Sequence, residues 1–130
     1  MVHILVAADR SDESRNAALS AFDIVQAVGG QVTAVHVGDG SDVAAEVLGR
    51  LEEIAHRREV PFEHEQLTGD VVDAITSYAA AHDVDAIYVG HRGMSSDWSP
   101  ESGDRGRLGS VARGLVEGTQ LPVTVFDRGL

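Results

Sequence analysis

The sequence predicts an α/β fold: a doubly wound, Rossmann-like sheet of five parallel strands in the order 3-2-1-4-5, with helices on both faces. Short apolar runs of strand length alternate along the chain with longer segments whose apolar residues recur at helical spacing, and this alternation is typical of such folds. The hydrophobic fraction of 43% is enough for a buried core. A length of 130 residues corresponds to one domain, so we treat residues 1–130 as a single unit.

The first half of the chain contains two predicted strands and two predicted helices. Residues 2–8 form an almost continuous apolar run, which favours a strand buried on both faces. Residues 11–28 carry alanine, phenylalanine and valine at helical spacing and are followed by two glycines, so we predict a helix there. Residues 31–37 are the second predicted strand. Ser41 can cap a second helix, whose apolar stripe ends at Ile54.

The second half of the chain continues the alternation. Residues 61–67 are a third predicted strand, which is polar. Asp70 can cap a third helix, and residues 84–89 form a fourth, strongly apolar strand. Residues 107–117 have the apolar spacing of a last helix, and residues 122–126 have the apolar composition of a short last strand.

The composition of the strands predicts their order in the sheet. The first and fourth strands are the most apolar and belong in the middle, whereas the third is polar and begins with Pro61, which suits an edge. Right-handed crossovers then give the order 3-2-1-4-5. The winding reverses between strands one and four, and such sheets bind ligands in the crevice at the carboxyl ends of those strands. Asp9 and the segment 90–93 (Gly-His-Arg-Gly) would lie there.

The charged residues exclude several kinds of function. The chain has 21 acidic and 10 basic residues, a formal net charge of −11, and every basic residue is an arginine. The absence of lysine excludes a Walker A loop and a Schiff-base enzyme. The acidic balance predicts that neither nucleic acid nor an anionic membrane is a partner. No cysteine is present, and the histidines lack the spacing of zinc motifs, so we predict no metal-binding residues.

Location and catalysis are predicted from the same features. The apolar run at residues 4–8 is too short for a signal peptide or a membrane span, so we expect a cytoplasmic protein. An acidic surface without lysine suits a high-salt cytoplasm, and we therefore expect a halophilic protein. The chain lacks a nucleophile elbow, a triad order and the lysine of a receiver domain. We predict no catalytic residues and no enzymatic function, with weak ATP hydrolysis left open.

Glycines and a serine mark a candidate anion site. Gly109 and Ser110 begin the last predicted helix, where free backbone N–H groups and the helix dipole attract anions. Gly90 and Gly93 could let a phosphate approach the backbone closely. On the residues alone an alternative stays open, in which Gly90 and Gly93 only make a turn and Gly109 only packs a helix against the sheet.

Several segments together resemble the universal stress protein (UspA) family. They are Ile-Leu-Val-Ala-Ala-Asp-Arg-Ser at 4–11, Thr-Ala-Val-His-Val at 33–37, the entry to the third helix at 67–70, Val-Gly-His-Arg-Gly at 89–93, Gly-Ser-Val-Ala at 109–112 and Leu-Pro-Val at 121–123. The resemblance covers the whole chain in order. It implies the fold given above, a dimer formed through the last strand and, for one subclass, ATP binding by a Gly-x2-Gly-x9-Gly-Ser/Thr motif after strand four.

The resemblance implies a set of nucleotide-contacting residues at one edge of the sheet. They are Ala8, Asp9, Val37, Gly90, His91, Arg92, Gly93, Gly109, Ser110 and Val111. The first three would meet the adenine and the ribose. Gly90 and Gly93 would lie under the ribose-phosphate, and His91 and Arg92 stand between them. The last three residues would hold the phosphates.

The spacing of the motif departs from the family pattern. Fifteen residues, 94–108, separate Gly93 from Gly109, whereas the motif has nine. Gly103 would restore the spacing of nine, but Asp104 would then stand where the motif requires Ser or Thr. We therefore assign the residues at 109 and 110 to the motif. The six extra residues would form a lid or a partner loop.

The sequence therefore predicts an adenine-nucleotide (ATP) binding protein that acts in stress response or signalling, with Mg²⁺ as a candidate companion of the nucleotide. Residues 122–126 form an apolar edge strand, and two copies could pair there around a twofold axis through Val123 and Val125, so we predict a homodimer. The alternative is a nucleotide-free dimeric interaction protein of the same family, in which the insertion at 94–108 is the partner surface.

Overall fold

Strands and helices alternate throughout the computed structural model of the chain, which describes residues 1–38, 42–91 and 110–127. In chain order they are β1 (Val2–Ala7), α1 (Asp12–Val28), β2 (Gly30–Val37), α2 (Asp42–Arg57), β3 (Phe62–Leu67), α3 (Val71–Ala81), β4 (Ala86–Gly90), α4 (Ser110–Gly118) and β5 (Val123–Phe126). The five strands form one parallel sheet in the order β3-β2-β1-β4-β5. The predicted fold class and strand order are confirmed.

β1 lies at the centre of the sheet and is buried on both faces, as its apolar run predicts. Ile4 and Val6 pack with side chains of α1 and α2 in one core, where Phe22 is the largest fully buried side chain. Leu5 and Ala7 point to the other face and pack with side chains of α3 and α4. The two cores remove apolar surface from water on both sides of the sheet, and this burial is the main favourable contribution to folding.

The register of the sheet brings the carboxyl ends of β1 and β4 nearly level, and β2 continues two residues further to Val37. Ala7 at the end of β1 pairs with Val35 of β2 and with Val89 of β4. β1 therefore ends two residues before Asp9, and β4 ends one residue before His91. These two residues follow neighbouring strands at the same edge of the sheet, where the winding reverses.

Side-chain caps and a glycine fix the ends of two helices. Ser11 caps α1, because its Oγ accepts a hydrogen bond from the Ser14 N–H at 3.0 Å. Gly29 follows the helix with a φ of 85°, a conformation that favours glycine. Asp70 caps α3 as predicted, since its Oδ2 accepts a hydrogen bond from the Asp73 N–H at 3.0 Å.

The predicted and observed elements differ only at their ends. β4 begins at Ala86, two residues later than predicted, because the His3 N–H bonds to the Asp85 side chain at 2.8 Å instead of to a backbone carbonyl. α4 is described from Ser110 onwards. Its predicted start three residues earlier lies outside the described residues, as does the cap that Ser41 would provide for α2.

β3 and β5 form the two edges of the sheet. The side chains of β3 are exposed or half-buried, in agreement with its polar sequence. In β5, Val123 and Val125 are half-buried in the single chain, whereas Thr124 is exposed. Within the described ranges, no helix has both the length and the apolar character that a membrane span requires.

Candidate functional site

The turn between β1 and α1 holds the backbone of Asp9 and one of its carboxyl oxygens in place. Asp9 Oδ1 accepts a hydrogen bond from the Ser11 N–H at 2.7 Å, and the Asp9 N–H donates to Ser14 Oγ at 2.8 Å. The Ser14 hydroxyl is buried and also donates to the Ala7 carbonyl at 3.4 Å. The turn is therefore tied to the first turn of α1 and to the end of β1, and it orients the carboxyl group.

The second carboxyl oxygen of Asp9, Oδ2, is buried and has no hydrogen-bond partner in the part of the chain that the structure describes. Burial raises the pKa of this carboxyl group above its ordinary value, because water no longer stabilises the charge, and the hydrogen bond from Ser11 only partly opposes this effect. An unpaired buried polar atom costs about 1–3 kcal/mol. A ligand that donates a hydrogen bond to Oδ2 would remove this cost.

His91, immediately after β4, contributes a second buried atom without a partner. The His91 N–H donates to the Phe126 carbonyl at 2.7 Å, which fixes the residue beside the end of β5. Its Nδ1 is buried and has no hydrogen-bond partner among residues 1–38, 42–91 and 110–127. An imidazole nitrogen donates or accepts according to its tautomer. Two unpartnered polar atoms thus lie just past the ends of β1 and β4.

Gly90 has a packing role that the sequence does not reveal. A Cβ atom at this position would lie 2.8 Å from the Cβ of Glu13 and 3.0 Å from the backbone nitrogen of Ser14. Only glycine lets the first turn of α1 approach β4 so closely. The contact positions the turn that carries Asp9, so Gly90 supports the crevice from the side of α1.

His36 also faces this region, although the sequence analysis did not select it. Its Nδ1 forms a hydrogen bond of 2.8 Å with the Ala8 carbonyl, so Nδ1 carries the proton in that bond. Its Nε2 lies toward Gly38, where an added Cβ would approach to 3.1 Å. His36 is near enough to Asp9 for its charge to lower the pKa of that carboxyl group, although burial remains the larger effect. A polar residue at the end of a buried strand was the signal that could have identified it.

The other predicted site residues divide into described and undescribed ones. Ala8 and Val37 are buried, at 0% and 7% exposure, so they can offer a ligand mainly backbone atoms. Ser110 is exposed at the start of α4, and the next residue, Val111, is buried against the sheet. A helix that follows a parallel strand begins at the edge where that strand ends, so α4 starts on the crevice side.

The remaining predicted residues and the insertion lie outside the described residues. They are Arg92, Gly93, Gly109 and the segment 94–108. Within the described ranges, His, Asp and Glu side chains do not form a group of three or more that could hold a metal ion. The described part of the crevice therefore consists of an unpaired carboxyl oxygen, two histidines and a helix start.

Comparison with known proteins gives a family match. The model of the universal stress protein family matches residues 1–60 and 44–127, which together cover nearly the whole chain. The chain belongs to the universal stress protein family. The predicted resemblance is confirmed. Comparison with curated protein sequences finds no match.

Solved structures of universal stress proteins share the fold. A universal stress protein from Archaeoglobus fulgidus DSM 4304 is 26% identical over 98% of this chain, with a TM-score of 0.77, and this chain spans 44% of that protein's length. A universal stress protein in complex with cAMP is 21% identical over 98% of both chains, with a TM-score of 0.78. A family protein from Arabidopsis thaliana with AMP bound is 20% identical over 99% of this chain and 93% of its own, with a TM-score of 0.76.

Proposed function

We propose that this universal stress protein binds an adenine nucleotide in the crevice at the carboxyl ends of β1 and β4. The observation that carries the proposal is a pair of buried atoms there, Asp9 Oδ2 and His91 Nδ1, that have no hydrogen-bond partner within the described ranges. Buried polar atoms in folded proteins nearly always have a partner, so two that lack one among the described residues, at the topological switch point, support a ligand site there.

The chemistry of the two ends of the crevice fits a nucleotide. Asp9 Oδ2 can accept a hydrogen bond from the amino group of adenine or from a ribose hydroxyl. The first turn of α4, beginning at Ser110, offers backbone N–H groups and the positive end of the helix dipole to a phosphate. Since the chain has no lysine, these groups would share the phosphate charge with arginine, for which we propose Arg92.

The class of nucleotide is supported by the ligands of two relatives. The structures with cAMP and with AMP share an adenine base and at least one phosphate. We therefore propose adenine nucleotides as the ligand class, and ATP, with or without Mg²⁺, as the member that the motif favours. Turnover would need a group to meet the charge of the transition state, and the chain has no lysine for this purpose. We propose a binding role in stress response or signalling rather than an enzymatic one.

We also propose that the protein acts as a homodimer. β5 is an edge of the sheet, and Val123 and Val125 leave part of their apolar surface open to solvent in the single chain. Antiparallel pairing of β5 with its copy around a twofold axis would cover both side chains. The net charge of −11 without lysine supports a cytoplasm of high salt content as the site of action.

Substitution of Ser110 by glutamate tests the phosphate end of the proposed site. The side chain is exposed, and an acidic residue in the first helical turn stabilises a helix, so Ser110→Glu should fold normally. The added carboxylate would repel a phosphate. We expect affinity for AMP and ATP, measured by isothermal titration calorimetry in high KCl, to fall at least about tenfold, because a charged hydrogen bond of 1.5–3 kcal/mol is lost.

Two controls make this experiment specific. Adenosine carries no phosphate, so its affinity should be unchanged in Ser110→Glu. Ser77→Glu makes the same chemical change at an exposed position in α3 and should bind AMP like the wild type. Unchanged AMP affinity in Ser110→Glu would show that the phosphate does not lie at the start of α4.

A further inference from the structure

A cavity open to solvent lies on one face of the sheet, between the first turn of α1 and the part of α2 from Glu46 to Arg57. It encloses about 680 Å³, which is within the range of small-molecule sites. Its lining begins at the turn that carries Asp9 and continues along α2 to Arg57. The cavity thus starts beside the proposed nucleotide crevice and runs away from it, between the two helices. We refer to it as the α1/α2 groove.

Polar contacts at both ends of the two helices frame the α1/α2 groove. At the start of the helices, Arg10 Nη2 forms a salt bridge of 3.1 Å with Glu46 Oε2. At their far ends, the guanidinium of Arg58 pairs with the Asp23 carboxylate, and Gln26 Nε2 donates to the Arg58 carbonyl at 2.9 Å. The groove lies between these two sets of contacts, and its described lining on α1 ends at Arg15.

The side of the groove formed by α2 is apolar at its base. Val47 and Leu51 are 9% and 5% exposed, and Ile54 is half-buried. These three side chains belong to the apolar stripe of α2 and pack into the core beneath it. Val47 and Leu51 leave little surface open, so the apolar body of a ligand would rest mainly on Ile54, with a gain of about 25 cal/mol for each Å² removed from water.

The rim of the groove is rich in arginine. Among the residues that the structure describes, four arginines line it, namely Arg10, Arg15, Arg50 and Arg57. Glu46 forms a salt bridge with Arg10 and another, at 3.3 Å, with Arg50. Within the described residues, the guanidinium groups of the other two, Arg15 and Arg57, form no salt bridge or hydrogen bond. Two guanidinium groups are therefore available to a ligand.

Acidic side chains also line the rim and limit the kind of ligand. Asp9, Asp12, Glu46 and Glu53 line the same space, so among the described residues four acidic side chains balance the four arginines. A highly charged polyanion would be repelled by them. A compact anionic group can instead contact Arg15 or Arg57 directly, because a guanidinium presents a planar set of donors that matches a carboxylate or a sulfonate.

The geometry points to a second ligand site in the α1/α2 groove, for a small amphipathic anion that sets an apolar body on Val47, Leu51 and Ile54 and an anionic group on Arg15 or Arg57. The volume, the apolar base and the two unpaired guanidinium groups each favour this class of ligand. The site does not depend on the proposed nucleotide function, since it shares with the crevice only the turn at Asp9.

A fluorescence titration tests this site with 8-anilinonaphthalene-1-sulfonate, an apolar body with one anionic group. We expect saturable binding with one probe per chain and an increase in probe emission. The emission should persist when saturating AMP is present, which separates the groove from the crevice. Displacement of the probe by AMP, or emission that rises without saturation, would overturn the proposal.

Arginine variants identify where the probe binds. Either Arg15→Glu or Arg57→Glu should weaken binding about tenfold, because a charged contact is lost, whereas lysine at the same position should keep part of the affinity, and full affinity in both glutamate variants would overturn the proposal. Arg113→Glu makes the same change of charge on α4, on the other face of the sheet, and should bind the probe like the wild type. Equal loss in Arg113→Glu and Arg15→Glu would show that only the overall charge matters, and the site would be wrong.

A variant of the apolar base provides the second test. Ile54→Ser shortens a half-buried side chain and adds a hydroxyl, so we expect weaker probe binding with the helical circular dichroism unchanged. If laurate does not compete with the probe but a glutamate-rich peptide does, the groove binds an acidic protein segment and the small-molecule proposal is overturned.

Discussion

Replacing Gly90 with alanine tests the close contact on which the start of α1 depends. The added methyl carbon would lie 2.8 Å from Glu13 Cβ, 3.0 Å from the Ser14 nitrogen and 3.2 Å from the Glu13 carbonyl carbon. Two of these three atoms belong to the backbone, so no rotation of a side chain can relieve the overlap. α1 must move away from β4, and overpacking of this kind costs about 1–3 kcal/mol.

The same substitution should weaken the candidate site. The Ser14 hydroxyl accepts the hydrogen bond from the Asp9 N–H, so a shift of α1 moves the carboxyl group that is proposed to meet the nucleotide. Misplacing one ligand hydrogen bond costs about 0.5–1.5 kcal/mol, and we expect AMP affinity to fall up to about tenfold in Gly90→Ala.

Urea unfolding followed by circular dichroism measures the effect on stability. Gly49→Ala is the matched control, because Gly49 lies within α2 and an added Cβ there meets nothing within 4 Å. Alanine is the better helix former, so this control should raise the free energy of unfolding by about 0.5–1 kcal/mol. Gly90→Ala with the unfolding midpoint of the wild type would refute the packing role assigned to Gly90.

Two further predictions concern Asp9 and the dimer. Asp9→Asn keeps an acceptor for the Ser11 N–H and removes a charge that burial disfavours. Burial raises the pKa of Asp9 in the folded state. Below about pH 4, the ordinary pKa of a carboxyl group, the side chain is protonated in both the folded and the unfolded state, and its burial costs no charge. As the pH rises through the folded-state pKa, the buried group must ionise and the free energy of unfolding of the wild type falls. The stability of Asp9→Asn relative to the wild type, measured by urea unfolding, should therefore be more favourable at pH 7 than at pH 4, and the opposite trend would contradict the burial of the charge. Val125→Arg places a charge on the proposed β5 interface, so light scattering should give the mass of a dimer for the wild type and of a monomer for the variant. A monomeric wild type would refute the proposed interface.

The strand order could be predicted because a strand inside the sheet is apolar in composition, whereas an edge strand can be polar. β1 is apolar from Ile4 to Ala7, where it faces a core on each side, and its sequence shows this. Pro61 and the polar residues after it mark β3 as an edge in the same way. These features depend on residues close together in the chain, which is why the sequence alone reveals them.

The details of the site depend on contacts between distant segments, which the sequence does not display. The sequence offered Gly90 as a phosphate-contacting glycine, but its contact with α1 joins residues 13 and 90 and becomes visible only when the helix is placed on the sheet. The hydrogen bond between His36 and the Ala8 carbonyl is likewise a contact between neighbouring strands. Asp9 was identified because a single residue after a strand end is a local feature, whereas the lack of a partner for its Oδ2 among the described residues is a property of the folded chain.

The most direct test of the nucleotide site is the amount of nucleotide that the protein retains. The chain, purified in high KCl and stripped of bound small molecules, would be dialysed to equilibrium against labelled AMP and ATP, with and without Mg²⁺. The proposed crevice predicts saturation near one nucleotide per chain, competition by adenine nucleotides and no competition by GTP. Retention of neither AMP nor ATP under any of these conditions would contradict the proposed function.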